Sequence, residues 1–175
     1  MKGIALFTAA VLVLFSGIAF AQHGHGHGGN NACGYCGMDR QKFAHSAMMI
    51  EYEDGSKAGS CSIHCAAIDL ATHIDKTPKL IEVGDYLTKK PINAESACWT
   101  LGGDLPGVMT KRAKWAFENK ADCEKFAQEH GAKVVSFDDA IKAAYEDMYS
   151  DTKMIRDKRK AMKAKQGEQQ QEKKQ

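Results

Sequence analysis

The chain has 175 residues, 26% of them charged and 43% hydrophobic, with six cysteines and a formal net charge of +2. That sum hides two parts: residues 22–150 carry fourteen Lys/Arg against eighteen Asp/Glu, and residues 151–175 carry nine against four. A mildly acidic body without a basic stripe excludes a nucleic-acid-binding module, and its length suffices for one domain or two very small ones.

The N-terminus predicts an export signal. Lys2 precedes an apolar run from Ile4 to Phe15 broken only by Thr8, and Ala19-Phe20-Ala21 offers small residues at the −3 and −1 positions. Residues 1–21 therefore read as a secretory signal peptide cleaved after Ala21, with a periplasmic destination. The run is too short to span a bilayer comfortably, and no second apolar segment follows it, so no stable membrane span is expected after cleavage. Six cysteines in an exported protein normally pair, and six allow fifteen pairings. A domain of this size can build a core without such staples, so local chemistry must also explain them.

Residues 22–32, with the run "QHGHGHGGNN", form a flexible Gly/His tract. His23, His25 and His27 are secondary metal candidates there, because alternate histidines collect a borderline metal without fixing its geometry. Residues 33–77 read as a cysteine-rich hairpin–helix unit: a strand from Phe43 to Tyr52, the turn Glu53-Asp54-Gly55-Ser56, and a returning strand into Ser60. Asp-Gly between extended patterns is a strong hairpin signal. Ser62 then caps a helix through His73, with Ile63, Ala66, Ala67, Leu70 and Ile74 on its inner face.

Residues 78–149 form a second strand–helix unit. A strand, a turn at Pro91 and a strand ending at Gly102-Gly103 come first, followed by a turn at Pro106-Gly107 and a third extended piece over "KRAKWAFEN". Asn119 or Lys120 opens a helix through Glu129 with Cys123, Phe126 and Ala127 inward, and Gly131 ends it as a C′ residue. "AKVVSF" reads as a short buried strand, and Asp138 begins a final helix. Residues 150–175 are a charged tail, helical for a few turns around Met154, Ala161 and Met162 and disordered after Gly167. The fold class is therefore α+β, built of two similar strand–strand–helix units.

The chemistry concentrates between residues 33 and 65. Cys33-x-x-Cys36 is a two-thiolate bite shared by metal sites and redox motifs. A thioredoxin-like motif should lie between a strand and a long helix, whereas here a polar run leads into a hairpin. With Cys65 in the first helical turn, Cys61 and Cys65 face the same side one turn apart, and His64 lies close enough to add an imidazole. The hairpin returns this pair toward Cys33 and Cys36. Two thiol pairs, Met38 and a histidine thus converge. Soft thiolate and thioether ligands favour Cu(I), with zinc as the competitor. Met38 and the Met48-Met49 pair tilt the reading toward copper, although one of that pair must be core on an alternating strand.

From the residues alone three readings stay open. They are a disulfide framework using Cys33–Cys36 or Cys36–Cys65, a structural zinc knuckle, and a functional copper site. His45 reads as a surface or satisfied residue, and Cys98 and Cys123 as a disulfide or buried thiols. Met109, in the loop after Pro106-Gly107, is within reach of a shared site.

The ordered combination of "CGYCGMDRQKFAHSAMMIEYEDGS", "CSIHC", "VGDYLTKKPINAESACWTLGG" and "WAFENKADCEKFAQEHGAKVVSFDDA" resembles the NosL family, the copper-binding accessory proteins of nitrous oxide reductase maturation. The resemblance covers roughly residues 33–148. It implies two similar strand–helix units and Cu(I) binding for delivery to a copper enzyme. By position, Cys33, Cys36 and Met38 match the family's cysteine loop and Met109 its loop methionine. This chain departs from the family in lacking a lipid-accepting cysteine, in the loop Gly107-Val108-Met109-Thr110, in the Cys61/Cys65 pair and in the basic tail.

The expected function is that of a periplasmic Cu(I) chaperone or carrier. No catalytic triad, paired-carboxylate site or phosphate loop is legible, so no catalytic residues are expected. The expected partner is a recipient copper enzyme such as nitrous oxide reductase, or another copper-handling protein, with a homodimer around the metal as a further possibility. The alternatives are a thiol–disulfide oxidoreductase using Cys33/Cys36, and sequestration or sensing of a heavy metal such as zinc or mercury.

Overall fold

Residues 31–172 are described by the computed structural model of the chain. The expected signal peptide, His23, His25 and His27 lie outside them. The elements run β1 (Met48–Tyr52), β2 (Lys57–Ser60), α1 (Ile63–Thr72), β3 (Pro78–Gly84), β4 (Pro91–Asn93), β5 (Cys98–Gly102), β6 (Lys114–Phe117), α2 (Lys120–His130), β7 (Ala132–Val135) and α3 (Phe137–Glu172). They form a mixed α+β fold with two antiparallel sheets, one ordered β2-β1-β3-β4 and one ordered β6-β5-β7.

Alternation explains the central strand of the first sheet. Met48, Ile50 and Tyr52 point inward, whereas Met49 and Glu51 point outward, as period-two geometry requires. Met48 is thus the core member of the methionine pair, 2% exposed. In the hairpin turn the Asp54 carboxylate accepts the Ser56 N–H at 2.8 Å, the local bond that makes Asp a turn former. Register then sets Met48 opposite Ser60, so Cys61 leaves β2 beside the start of β1.

Several expectations change at element ends. The first strand begins at Met48 rather than Phe43, because the Ser46 and Ala47 N–H groups both bond back to the Phe43 carbonyl at 2.9 Å. This turn crosses the end of β3 so closely that a Cβ on Gly84 would lie 1.7 Å from the Ala44 oxygen. Ile74 is 88% exposed rather than inward, because α1 ends at Thr72. Pro91 opens a strand instead of marking a turn; a proline is tolerated as the first residue of an edge strand, and β4 is the sheet edge. β7 is also an edge and is largely exposed, not buried. α3 continues past Gly167: one glycine costs a helix only about 1 kcal/mol relative to alanine.

The sheets do not divide at residue 78. β3 and β4 complete the first sheet by pairing with β1 and with each other. The second sheet is joined to it where the Asp85 carboxylate accepts the N–H groups of Thr88, Glu118 and Leu87. α2 follows its expected caps: the Asn119 side chain accepts the Ala121 N–H, and Gly131 adopts the left-handed conformation. One core lies around Ile50, Ile81, Trp99 and Phe137 beneath α1 and α3. A second gathers Trp115, Phe117 and Phe126 around Cys33, Cys61 and Cys65.

Candidate metal centre

The cysteine loop is shaped by its own backbone. The Cys33 N–H reaches the Met38 carbonyl at 2.8 Å, and the Gly37 N–H reaches the Cys33 carbonyl at 2.9 Å. Closing so tight a loop places Gly37 at φ +74°, a conformation that glycine adopts without a Cβ penalty. Three elements hold the loop from outside. The Gly34 N–H donates to the Gly59 carbonyl at 3.3 Å, the Tyr35 hydroxyl to Asp69 at 2.5 Å, and Arg159 to the Cys36 carbonyl at 2.8 Å. These are β2, α1 and α3 respectively.

The second thiol pair comes from the entry to α1. Ser62 is extended and makes no side-chain cap bond, and the Ser46 hydroxyl donates to the Cys61 carbonyl at 2.8 Å. Cys65 occupies the first turn of α1, where the positive end of the helix dipole favours a thiolate. Cys61 Sγ lies 3.4 Å from Cys36 Sγ and 3.8 Å from Cys65 Sγ. All four sulfurs, of Cys33, Cys36, Cys61 and Cys65, fall within 4.8 Å of one another. A tetrahedral ion with metal–sulfur bonds near 2.3 Å requires sulfur separations of roughly 3.8 Å. The set therefore needs little adjustment to hold one ion.

Burial and charge make this arrangement asymmetric. Cys33, Cys61 and Cys65 are buried, whereas Cys36 is half-buried at the surface. Hydrogen bonds from Cys36, Cys61 and Cys65 hold the Cys33 thiol well below its usual range. Cys36 is raised by Cys33 but lowered on balance by Cys61 and Cys65. Cys61 is pushed up chiefly by Cys33 and Cys36, and Cys65 by Cys33, Cys36 and Cys61. Adjacent thiolates repel, so the first to ionise is stabilised by S–H donors that then keep their protons. A bound cation would remove that restriction and draw off the remaining protons.

Not every expected ligand joins the thiols. His64 is turned away: its Nδ1 faces Asp151 of α3 at 3.8 Å, with both side chains buried. One residue rotates roughly 100° around a helix, so the neighbour of Cys65 cannot share the face that Cys61 and Cys65 share. Met38 and Met109 pack against the apolar cluster that contains Cys33, Cys61 and Cys65. His45 contacts the rings of Trp115, Tyr86 and Phe43, and burial lowers its pKa. Cys98 and Cys123 form a disulfide with their Cα atoms 6.1 Å apart.

Two supports were not singled out in the sequence. Asp69 is 2% exposed and accepts the hydroxyls of both Tyr35 and Tyr52. Arg159 reaches the cysteine loop across 123 positions of sequence. A carboxylate on an otherwise apolar helix face was the available signal for Asp69; none marked Arg159.

An α+β domain with four converging thiols beside the N-terminus of a helix defines a class of thiol-rich metal-binding protein. Within that class the chain belongs to the NosL family, whose model matches residues 27–146. No curated protein matches it in sequence. The fold is similar to that in the crystal structure of the copper chaperone NosL from Shewanella denitrificans, with a TM-score of 0.53 and 23% sequence identity. That match covers 65% of this chain and 92% of the other.

Proposed function

We propose that this protein is a periplasmic Cu(I) carrier that holds one ion on Cys33, Cys36, Cys61 and Cys65 and delivers it to a copper enzyme. The observation that carries the reading is the set of four sulfurs within 4.8 Å, with only Cys36 open to the surface. Soft thiolates suit Cu(I), and the family and the similar copper chaperone support the same cargo. Nitrous oxide reductase is the recipient that the family resemblance suggests. The signal-like residues 1–21 support export, and no helix among the described residues is long and apolar enough to cross a membrane.

Release proceeds by ligand exchange. An acceptor's soft ligand adds to the ion on the Cys36 side as the Cys36 thiolate leaves, with no change in the copper oxidation state. Three buried sulfurs keep the ion from water until an acceptor arrives. The thiol–disulfide oxidoreductase reading has less support, because Cys33 is 1% exposed and an attacking thiolate needs access.

A closed four-sulfur set also suits structural zinc, so the test must compare the two metals. Under anaerobic reducing conditions, the mature chain should bind one Cu(I) at its thiols in preference to zinc. The Cys33→Ser/Cys36→Ser variant should lose that thiolate-bound ion. Zinc displacing Cu(I) in a competitive titration would reject the carrier reading, as would metal-independent turnover of a protein disulfide.

A further inference from the structure

The one thiol open to the surface stands beside a basic rim. A depression of about 540 Å³ lies over Cys36 and adjoins a second of about 460 Å³, with Arg159 and Met162 of α3 lining both. Lys111 and Lys158 line the second and Lys163 the first, and no carboxylate lines either. Among the described residues none of these four cations takes part in an ion pair. We propose that this rim is the docking surface for an acidic acceptor protein, one whose metal-accepting segment is flanked by carboxylates. The proposal rests on the carrier reading and names the kind of partner that the same site serves.

The rim is built by the second half of α3. Between Met154 and Gln166 the residues that line the two depressions recur at three- and four-residue steps, the spacing of one helix face. Carboxylates close in sequence are placed elsewhere. Asp157 lines neither depression and pairs with Lys153 at 3.6 Å. Asp151 is buried and accepts the Lys111 N–H. The charges of this stretch are thus sorted by face, with the cations left around Cys36. Arg159 holds that face to the cysteine loop through the Cys36 carbonyl. All of these α3 residues lie beyond residues 27–146, the segment that matches NosL.

The sign of the rim identifies what it receives. Like charges repel, so four cations do not gather a bare metal cation; they favour whatever arrives carrying negative charge. The rim is no average of the surface either, since residues 22–150 hold fourteen Lys/Arg against eighteen Asp/Glu. Between the cations lie Met154, Ile155 and Met162, and unbranched methionine side chains conform to varied partners. Apolar ground within a charged rim is the plan of a protein interface, whereas a small inorganic anion would use the cations alone. On docking, an acceptor thiolate bonds to the ion as the bond from the ion to Cys36 Sγ breaks. Cys36 leaves as a thiolate, and the ion stays monovalent.

The test loads the mature chain anaerobically with one equivalent of Cu(I). Its withdrawal is then followed with two synthetic peptides that share a Cys-x-x-Cys bite, one flanked by glutamates and the other by lysines. At about 10 mM ionic strength charges act over roughly 30 Å. The glutamate peptide should there take the ion at least about tenfold faster, the lower bound of electrostatic steering. At about 1 M, where that range falls to roughly 3 Å, the two rates should converge. Lys111→Gln/Lys158→Gln/Lys163→Gln changes three exposed side chains. It should keep the melting temperature and the Cu(I) stoichiometry and abolish the preference. Lys120→Gln/Lys125→Gln/Lys133→Gln makes the same change in net charge on residues that line neither depression, and it should leave the preference intact. Equal rates for the two peptides overturn the proposal, as does a preference that survives the first variant. A preference that both variants lose alike would belong to net charge and also overturns it. Cosedimentation with phosphatidylglycerol vesicles, lost in the first variant and accompanied by equal peptide rates, would assign the rim to a membrane instead. The carrier reading fails separately, by absence of thiolate-bound Cu(I) before any peptide is added.

Discussion

Asp69 and Tyr35 decide how firmly the cysteine loop is held. Tyr35 stands between the two loop cysteines, and its hydroxyl donates to a buried carboxylate on a different element. Burial, reinforced by Asp69, raises the Tyr35 pKa to about 12, so the hydroxyl remains a donor throughout the physiological range. Hydrogen bonds to charged groups are the stronger kind. Tyr35→Phe should cost about 1 kcal/mol of stability and free the loop locally. In the metal-free protein, alkylation of Cys36 should then accelerate about fivefold, the factor that 1 kcal/mol represents. An unchanged rate by mass spectrometry would show that β2 and α3 suffice to hold the loop.

α3 is fastened to β6 by ion pairs gathered around a buried lysine. Lys114 is 4% exposed, and its ammonium lies 2.8 Å from Asp147, which also accepts from Arg112 at 2.9 Å. Burial alone would raise the Asp147 carboxyl, but the hydrogen bonds from Arg112 and Lys114 outweigh it and hold the carboxyl below the usual range. The sign of the pH effect follows. A depressed folded-state pKa adds stability above the unfolded value, near pH 4 for Asp, and that stability is lost as pH falls through the folded value. Asp147→Asn should therefore destabilise the protein by about 3 kcal/mol at pH 7, because it leaves a buried ammonium without its carboxylate. Denaturant melts of the two proteins should converge in acid. A difference that persists at pH 2 would place the effect in packing instead.

For the whole molecule, the Cys98–Cys123 bridge ties β5 to α2 across 25 positions. By loop-closure entropy such a bridge stabilises by about 3 kcal/mol. Cys98→Ala/Cys123→Ala should lower stability by that amount in guanidinium melts yet keep the metal stoichiometry, since neither sulfur belongs to the group of four. Loss of the metal in this variant would show that the second sheet is needed to assemble the thiols. The two sheets share the work unequally. The first carries Cys61 to its place at the end of β2, and the second supplies Trp115 and Phe117 as the apolar wall around it.

Much of this architecture was legible in local sequence. Asp54-Gly55 marks the hairpin, Ser62 and Asn119 precede the two short helices, Gly131 ends one of them, and the Cys61/Cys65 spacing already puts two thiols on the same side of the entry to α1. Each of these features depends on bonds or periodicity within a few residues, which is why the sequence alone determined the hairpin that returns Cys61 and Cys65 toward Cys33 and Cys36 and both ends of α2, whereas Ser62 precedes α1 without the side-chain cap bond expected of it. The tertiary structure decided what depends on distant packing. α3 drew His64 toward Asp151 and brought Arg159 to the Cys36 carbonyl. β3 joined β1 across the boundary expected at residue 78, and Met154 and Met162 came beside Met38 and Met109. No local pattern specifies the face along which a helix docks; burial of apolar area over the whole chain selects it.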